Sequence, residues 1–156
     1  MHFKVAAIGQ RMPSWVSDAW REYSKRFPRN PSIELIELAT ARRGRNADIS
    51  RLVESEGDKL LAAIPDHAVA VALDERGEAW STKTLAEHVR GWMAGGQDVY
   101  FMIGGPDGLS SACIRRADKR WSIGPLTLPH PLVRVILVEQ LYRALMVVGN
   151  HPYHRA

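Results

Sequence analysis

Three adjacent residues near the C-terminus carry the most usable chemistry. The chain closes as Asn150-His151-Pro152-Tyr153-His154-Arg155-Ala156, which puts a phenol, an imidazole and a guanidinium on successive positions. Tyr153 and His154 can stack on unpaired bases and Arg155 can meet a phosphate, a set that suits RNA. The plain alternative is a frayed end. Upstream, His130 stands at the head of an almost wholly apolar helical stretch and Arg134 falls inside it. An inward-facing guanidinium needs an anionic or carbonyl partner. Arg134 is therefore a candidate site residue, with an internal ion pair as the alternative. His151 and His154 are three apart and His130 offers a third imidazole, but no carboxylate or thiolate accompanies them, so no metal site is expected.

The turns offer a second kind of chemistry. Gly104-Gly105-Pro106-Asp107-Gly108 follows an apolar run. In the dinucleotide fingerprint G-x-G-x-x-G the third position falls on Pro106, which has no N–H for a pyrophosphate. No G-K-[ST] phosphate loop exists either. NAD and ATP are disfavoured, and a ligand needing few phosphate contacts is favoured. S-adenosylmethionine carries no phosphate, and backbone groups in glycine-rich turns can hold its adenine and carboxylate. Taken alone, the glycines are better read as a tight turn and nothing more.

The elements that must position these residues alternate strand and helix, which predicts an α/β fold with a mainly parallel sheet flanked by helices. Strands are expected at residues 2–8, 33–38, 67–73 and 99–103, with a short one around Trp121. The runs at 67–73 and 99–103 are nearly continuous in apolar residues, as central parallel strands are. Pro13 suits the first position of a helix carrying Trp15, Val16, Ala19, Trp20 and Tyr23. Ile49, Leu52, Val53, Leu60 and Leu61 mark a second helix. Thr84 and Glu87 have capping-box spacing ahead of Leu85, Val89 and Trp92. Ser110 can cap a short helix, and residues 131–148 form a long one closed by Gly149. Ligands in such sheets bind beyond the carboxyl ends of the strands. The turns after Leu73, at Gly104 and over Ile123–Leu128 are thus expected to meet in one cleft.

The chain has 156 residues, 46% of them hydrophobic and 24% charged, and shows no repeat or linker, so one globular domain over 1–156 is expected. A net charge of +4 is compatible with a polyanionic partner. The lone Cys113 fits a reducing compartment. The first residues hold too short an apolar run for a signal peptide, and no segment approaches a membrane span, so a cytoplasmic protein without membrane attachment is expected. The final helix is apolar nearly all round. A subunit interface would cover it, which predicts a homodimer, and burial inside one chain is the alternative.

Together, GGPDGLS, LTLPHPLVRVILVEQLYRA and NHPYHR, with VAAIGQRMPSWV and RGRNADI nearer the start, resemble the ribosomal RNA large subunit methyltransferase H family of the SPOUT class. The likeness spans the whole chain. It implies a C-terminal trefoil knot over roughly residues 70–156, an exception to the rule against threaded loops. It implies S-adenosylmethionine bound by Leu73, Gly104, Ile123, Gly124, Pro125, Leu126, Thr127 and Leu128. It also implies a homodimer acting on 23S rRNA in the assembled ribosome, at N3 of pseudouridine 1915. Such a ring nitrogen carries a proton, so its removal or the resulting anion must be made easier. His154, Tyr153 and Arg155 are the candidates, with His130 and Arg134 as alternatives. Basic residues at Arg42, Arg43 and Arg45, and at Arg115, Arg116, Lys119 and Arg120, can reach phosphates or simply form solvated faces. Rival readings are the same fold acting on another RNA such as tRNA, and a non-catalytic ribosome-binding factor.

Overall fold

The structure is a computed structural model that describes residues 1–155 except the His154 side chain. The elements run β1 (Phe3–Ile8), α1 (Ser14–Ser24), β2 (Ile33–Leu38), α2 (Ile49–Ala62), β3 (Val69–Ala79), α3 (Thr82–Gly95), β4 (Val99–Ile103), α4 (Ser111–Arg116), β5 (Lys119–Ser122) and α5 (His130–Val148), then a 3-10 turn at Pro152–His154. The strands form one sheet in the order β2-β1-β4-β3-β5, and every pairing is parallel. This is the expected α/β architecture. Helices cover both faces, because parallel strands leave no face for water.

The alternation of side chains along each strand divides the interior in two. On one face Phe3, Val5, Val71, Val99 and Phe101 pack with residues of α3 and α5, including Trp92, Leu137 and Leu141. On the other, Ala6, Ile8, Ala70, Ala72 and Met102 pack with Leu60 of α2 and Cys113 of α4. The small residues Ala6, Ala70 and Ala72 let α2 and α4 lie close to the sheet.

Several boundaries depart from the sequence expectation, β1 by one residue at its start. β3 begins at Val69 and continues to Ala79. Its pairing with β4 stops at Ala72, and its register on β5 jumps between Leu73 and Glu78, both opposite Trp121. Residues after Leu73 therefore bulge outward at the sheet edge, and their polarity hid the strand that resumes beyond them. Pro13 is the N-cap of α1 and stands one place before the first helical residue. The cap of α3 is Ser81, whose hydroxyl accepts from the Thr84 N–H at 3.1 Å, so Thr84 sits inside the helix. α5 starts at His130, with Pro131 in its first turn. Ser110 caps α4 as expected, accepting from the Cys113 N–H at 3.2 Å.

No position from His130 to Val148 is fully exposed. Within one chain, α1 and α3 pack on this helix, and Leu137, Val138, Leu141, Ala144 and Leu145 are buried, while apolar residues such as Leu132, Val135, Ile136 and Met146 stay half-buried. Among the described residues, no helix is long and apolar enough to cross a membrane.

The cap assignment can be checked directly. Ser81→Ala should destabilise the chain by about 1 kcal/mol in urea unfolding. Thr84→Ala should cost clearly less, and the reverse ranking would return the cap to Thr84.

Candidate functional site

Beyond the carboxyl ends of β3, β4 and β5 lies an open cavity of about 960 Å³. Leu73, Gly104, Ile123, Gly124, Leu126, Thr127 and Leu128 all line it. The structure thus brings together the three turns singled out from sequence. Pro125 lies between two lining residues and is not itself on the wall. His130 and Val133, from the first turn of α5, also line it, as do Asp107 and the rest of the 104–108 turn. Sequence reasoning did not foresee the contribution of the β3 bulge, Asp74, Glu75 and Arg76, or of Arg120 and Trp121. The bulge was invisible because its residues read as an ordinary polar loop. Arg120 binds Asp74 at 2.5 Å across the mouth.

The turn after β4 has room only for glycine. A Cβ on Gly104 would lie 2.6 Å from the carbonyl carbon of Gly108. One on Gly105 would lie 2.8 Å from a carboxylate oxygen of Glu56. Gly108 sits at φ +83, in the left-handed region, and its N–H donates to the Gly105 carbonyl at 3.0 Å. Three glycines therefore let the backbone itself form a wall of the cavity.

At the head of α5, Arg134 is completely buried. Its Nη1 donates to Glu37 at 2.6 Å and its Nη2 to the Gly9 carbonyl at 2.7 Å. The expected anionic and carbonyl partners are thus both present, in an internal ion pair, and Arg134 does not line the cavity. His130 stands beside it. A guanidinium has no acceptor, so the 3.3 Å contact between Arg134 Nη2 and His130 Nε2 makes Nε2 the acceptor and leaves the proton on Nδ1. Burial holds the imidazole below its ordinary value, the neighbouring Arg134 charge adds to this, and a hydrogen bond to the Gly104 backbone and the Glu56 charge oppose it. His130 therefore presents a neutral ring to the cavity near neutrality.

The tail lies elsewhere. Tyr153 packs edge-on against Tyr142 with ring centroids 4.7 Å apart, its hydroxyl donates to Glu139 at 3.3 Å, and Arg143 covers its ring. With about 1.5 Å of rise per residue, Arg143 stands roughly 20 Å along α5 from His130. Tyr153 and Arg155 are thus not brought to the cavity of their own chain, and the His154 side chain lies outside the described residues. Burial, followed by the Glu139 charge, raises the Tyr153 phenol above its ordinary value, so it keeps its proton near neutrality.

A family model described as "Predicted SPOUT methyltransferase" matches residues 1–154. The chain belongs to the SPOUT methyltransferase family. Relatives named ribosomal RNA large subunit methyltransferase H share its whole length. The one from Thioalkalivibrio sulfidiphilus is 49% identical over 99% of both chains. The one from Methylococcus capsulatus is 48% identical over 99% of this chain and all of its own. Two distant solved structures share the fold. A methylase-family protein of Haemophilus influenzae Rd KW20 superposes with TM-score 0.61 at 13% identity, over 95% of this chain and 66% of its own. A methyltransferase of Legionella pneumophila, solved with the cofactor SAM, gives 0.52 at 12% identity, over 92% and 66%.

Of the basic residues considered for phosphate contact in this SPOUT methyltransferase, three have other partners. Arg43 binds Glu56 and Asp107, Arg116 donates to the carbonyls of Pro65 and Ala68, and Arg120 pairs with Asp74. Arg42, Arg45, Arg115 and Lys119 are exposed.

The His130 geometry gives a pH prediction. As pH falls below the ordinary imidazole value of 6.5, the unfolded chain takes up the proton before the folded one does. Stability is then lost on acidification through that window. His88, also held low by burial, adds to the loss. His130→Gln should leave a shallower fall in urea midpoint between pH 6.5 and 5, and an unaltered slope would contradict the assignment.

Proposed function

We propose that this chain is an S-adenosylmethionine-dependent methyltransferase of large-subunit ribosomal RNA, working in the cytoplasm as a homodimer, with N3 of pseudouridine 1915 in 23S rRNA as the acceptor. One observation carries the reading: three turns remote in sequence converge on one cavity whose inner end is the neutral ring of His130. Family membership supports the activity, the names of the full-length relatives support the RNA, and both support a knotted C-terminal half.

The cavity suits the cofactor. Its size is within the range of small-molecule sites. Leu73, Ile103, Leu128 and Val133 offer an apolar slot for the adenosyl group, and the Gly104 turn and the 123–128 segment expose backbone groups for its polar edges. When bound, S-adenosylmethionine supplies an electrophilic methyl group on a sulfonium. The residues of the chain must then place the acceptor nitrogen in line and manage its proton.

His130 is poorly placed to take that proton, because Nε2 is committed to Arg134 and Nδ1 already carries one. We assign His130 and Arg134 to shaping the wall of the site. The docked Tyr153 phenol keeps its own proton and so does not act as a base. Tyr153, His154 and Arg155 remain the groups that orient the base and stabilise its anion, and Arg155 grips the RNA. Since the tail stands about a helix length from its own cavity, it serves the partner subunit's cavity. A loop nucleotide is cheaper to expose than a paired one, which suits a small enzyme without a separate RNA-binding module.

Trans completion has a clean test. Gly124→Trp fills the cavity, and since a Cβ at Gly124 meets nothing within 4 Å, the fold tolerates it. Removal of residues 151–156 leaves the cavity intact. Each variant alone should be inactive in methyl transfer to ribosomes, while the tail-deleted chain still binds S-adenosylmethionine in calorimetry. Mixed and reassociated, they should regain activity, because a heterodimer unites an open cavity with an intact tail. No recovery from proven heterodimers would place the tail in cis. Wild-type protein that ignores the cofactor would overturn the function itself.

A further inference from the structure

The cavity rests on an ion-pair latch that lies behind it. Glu56 of α2 is 1% exposed. A carboxylate so buried is costly unless fully paired. It is fully paired: the Ala41 N–H donates to it at 3.0 Å, and Arg43 donates through Nη1 at 3.0 Å and Nη2 at 2.9 Å. Burial alone would push the Glu56 carboxyl up, but Arg43 and the Ala41 N–H outweigh it and hold it below its ordinary value. The third face of the same guanidinium reaches the glycine turn, with Nε donating to Asp107 at 3.0 Å. Gly105 lies so close to the Glu56 carboxylate that any Cβ there would collide with it. The turn after β4 is therefore backed by one member of the pair and tied at its tip by the other.

We propose that Arg43 and Glu56 are positioning residues for cofactor binding, latching the 104–108 turn into the shape that walls the cavity. The proposal rests on the reading of that cavity as a cofactor site. Neither residue is among those lining it, so both act through the turn. Nothing in the β-strands fixes residues 105–108, whose internal support is one narrow bridge between Gly105 and Gly108. The latch supplies the remaining restraint. Arginine is needed because its planar fork meets two carboxylates at once, whereas lysine is a point charge that can satisfy only one well.

The experiment compares wild type, Arg43→Lys, Asp107→Asn and the double variant in the full-length protein. Two readouts are taken: amide hydrogen exchange of residues 104–108, and S-adenosylmethionine affinity by calorimetry. Arg43→Lys keeps a cation beside Glu56 and should fold. It should speed exchange in the turn and weaken the cofactor by about ten-fold, the loss of one charge-assisted hydrogen bond. Asp107 lines the cavity as well as joining the latch, so Asp107→Asn is judged by exchange in the turn, and it keeps the proposal testable if the lysine variant does not fold. It should act in the same direction. The double variant should be no weaker than Arg43→Lys alone, because both changes open the same latch. Unchanged exchange and affinity in either folded single variant, or losses that multiply in the double, would overturn the latch. If wild type fails to bind the cofactor but exchange in the turn still rises, the cofactor reading fails and the latch survives as a restraint on the turn alone.

Discussion

The buried guanidinium of Arg134 fixes the place where strands, helix and cavity meet. It joins the Gly9 carbonyl just past β1, the Glu37 carboxylate on β2 and the His130 ring at the head of α5. A charge with no exposure survives there only because each face of the guanidinium finds an acceptor. The consequence extends beyond stability. α5 is held with its first turn against the sheet's carboxyl edge, so His130 and Val133 line the cavity. The same Arg134 charge helps keep His130 neutral. Burial, reinforced by this electrostatic contact, thus sets what the ring offers to a ligand.

On this frame, the cavity is mostly a backbone construction. The Gly104–Gly108 turn closes on itself at distances only glycine permits, and the 123–128 segment joins the short edge strand β5 to α5. Backbone walls suit a ligand recognised through ring edges and a carboxylate. Tyr153 is held at the other end of α5, docked on Tyr142 and Arg143. This separation of the cavity from the tail within one chain is the ground for the proposed completion of the site by a partner subunit. The apolar positions of α5 that α1 and α3 leave half-buried, among them Leu132, Val135 and Ile136, support the same proposal.

Much of this was legible in the sequence because the signals were local and periodic. The apolar runs at 67–73 and 99–103 announced central parallel strands, and the convergence of their ends follows from the general geometry of such sheets. Arg134 was legible as a charge needing a partner, though its partners Gly9 and Glu37 lie too far along the chain to be named. The missed features were non-local. Thr84 showed capping-box spacing, but the packing of Trp80 against Trp121 and His88 fixes the chain just ahead of Ser81 and starts the helix there. Nothing in the sequence singled out Glu56, since its partners come from a loop before its helix and a turn well after it. The tail read as either an RNA-contacting set or a frayed end, with nothing in NHPYHRA to say that Tyr153 docks on Tyr142 and Arg143.

The most direct test of the central claim follows backbone amide resonances of the protein while S-adenosylmethionine is added. The account predicts saturable shifts concentrated at Gly104–Gly108 and Ser122–Leu128, with the His130 ring responding and the tail amides of the same chain moving little. Saturable shifts confined to another face, or a spectrum that does not change, would contradict it.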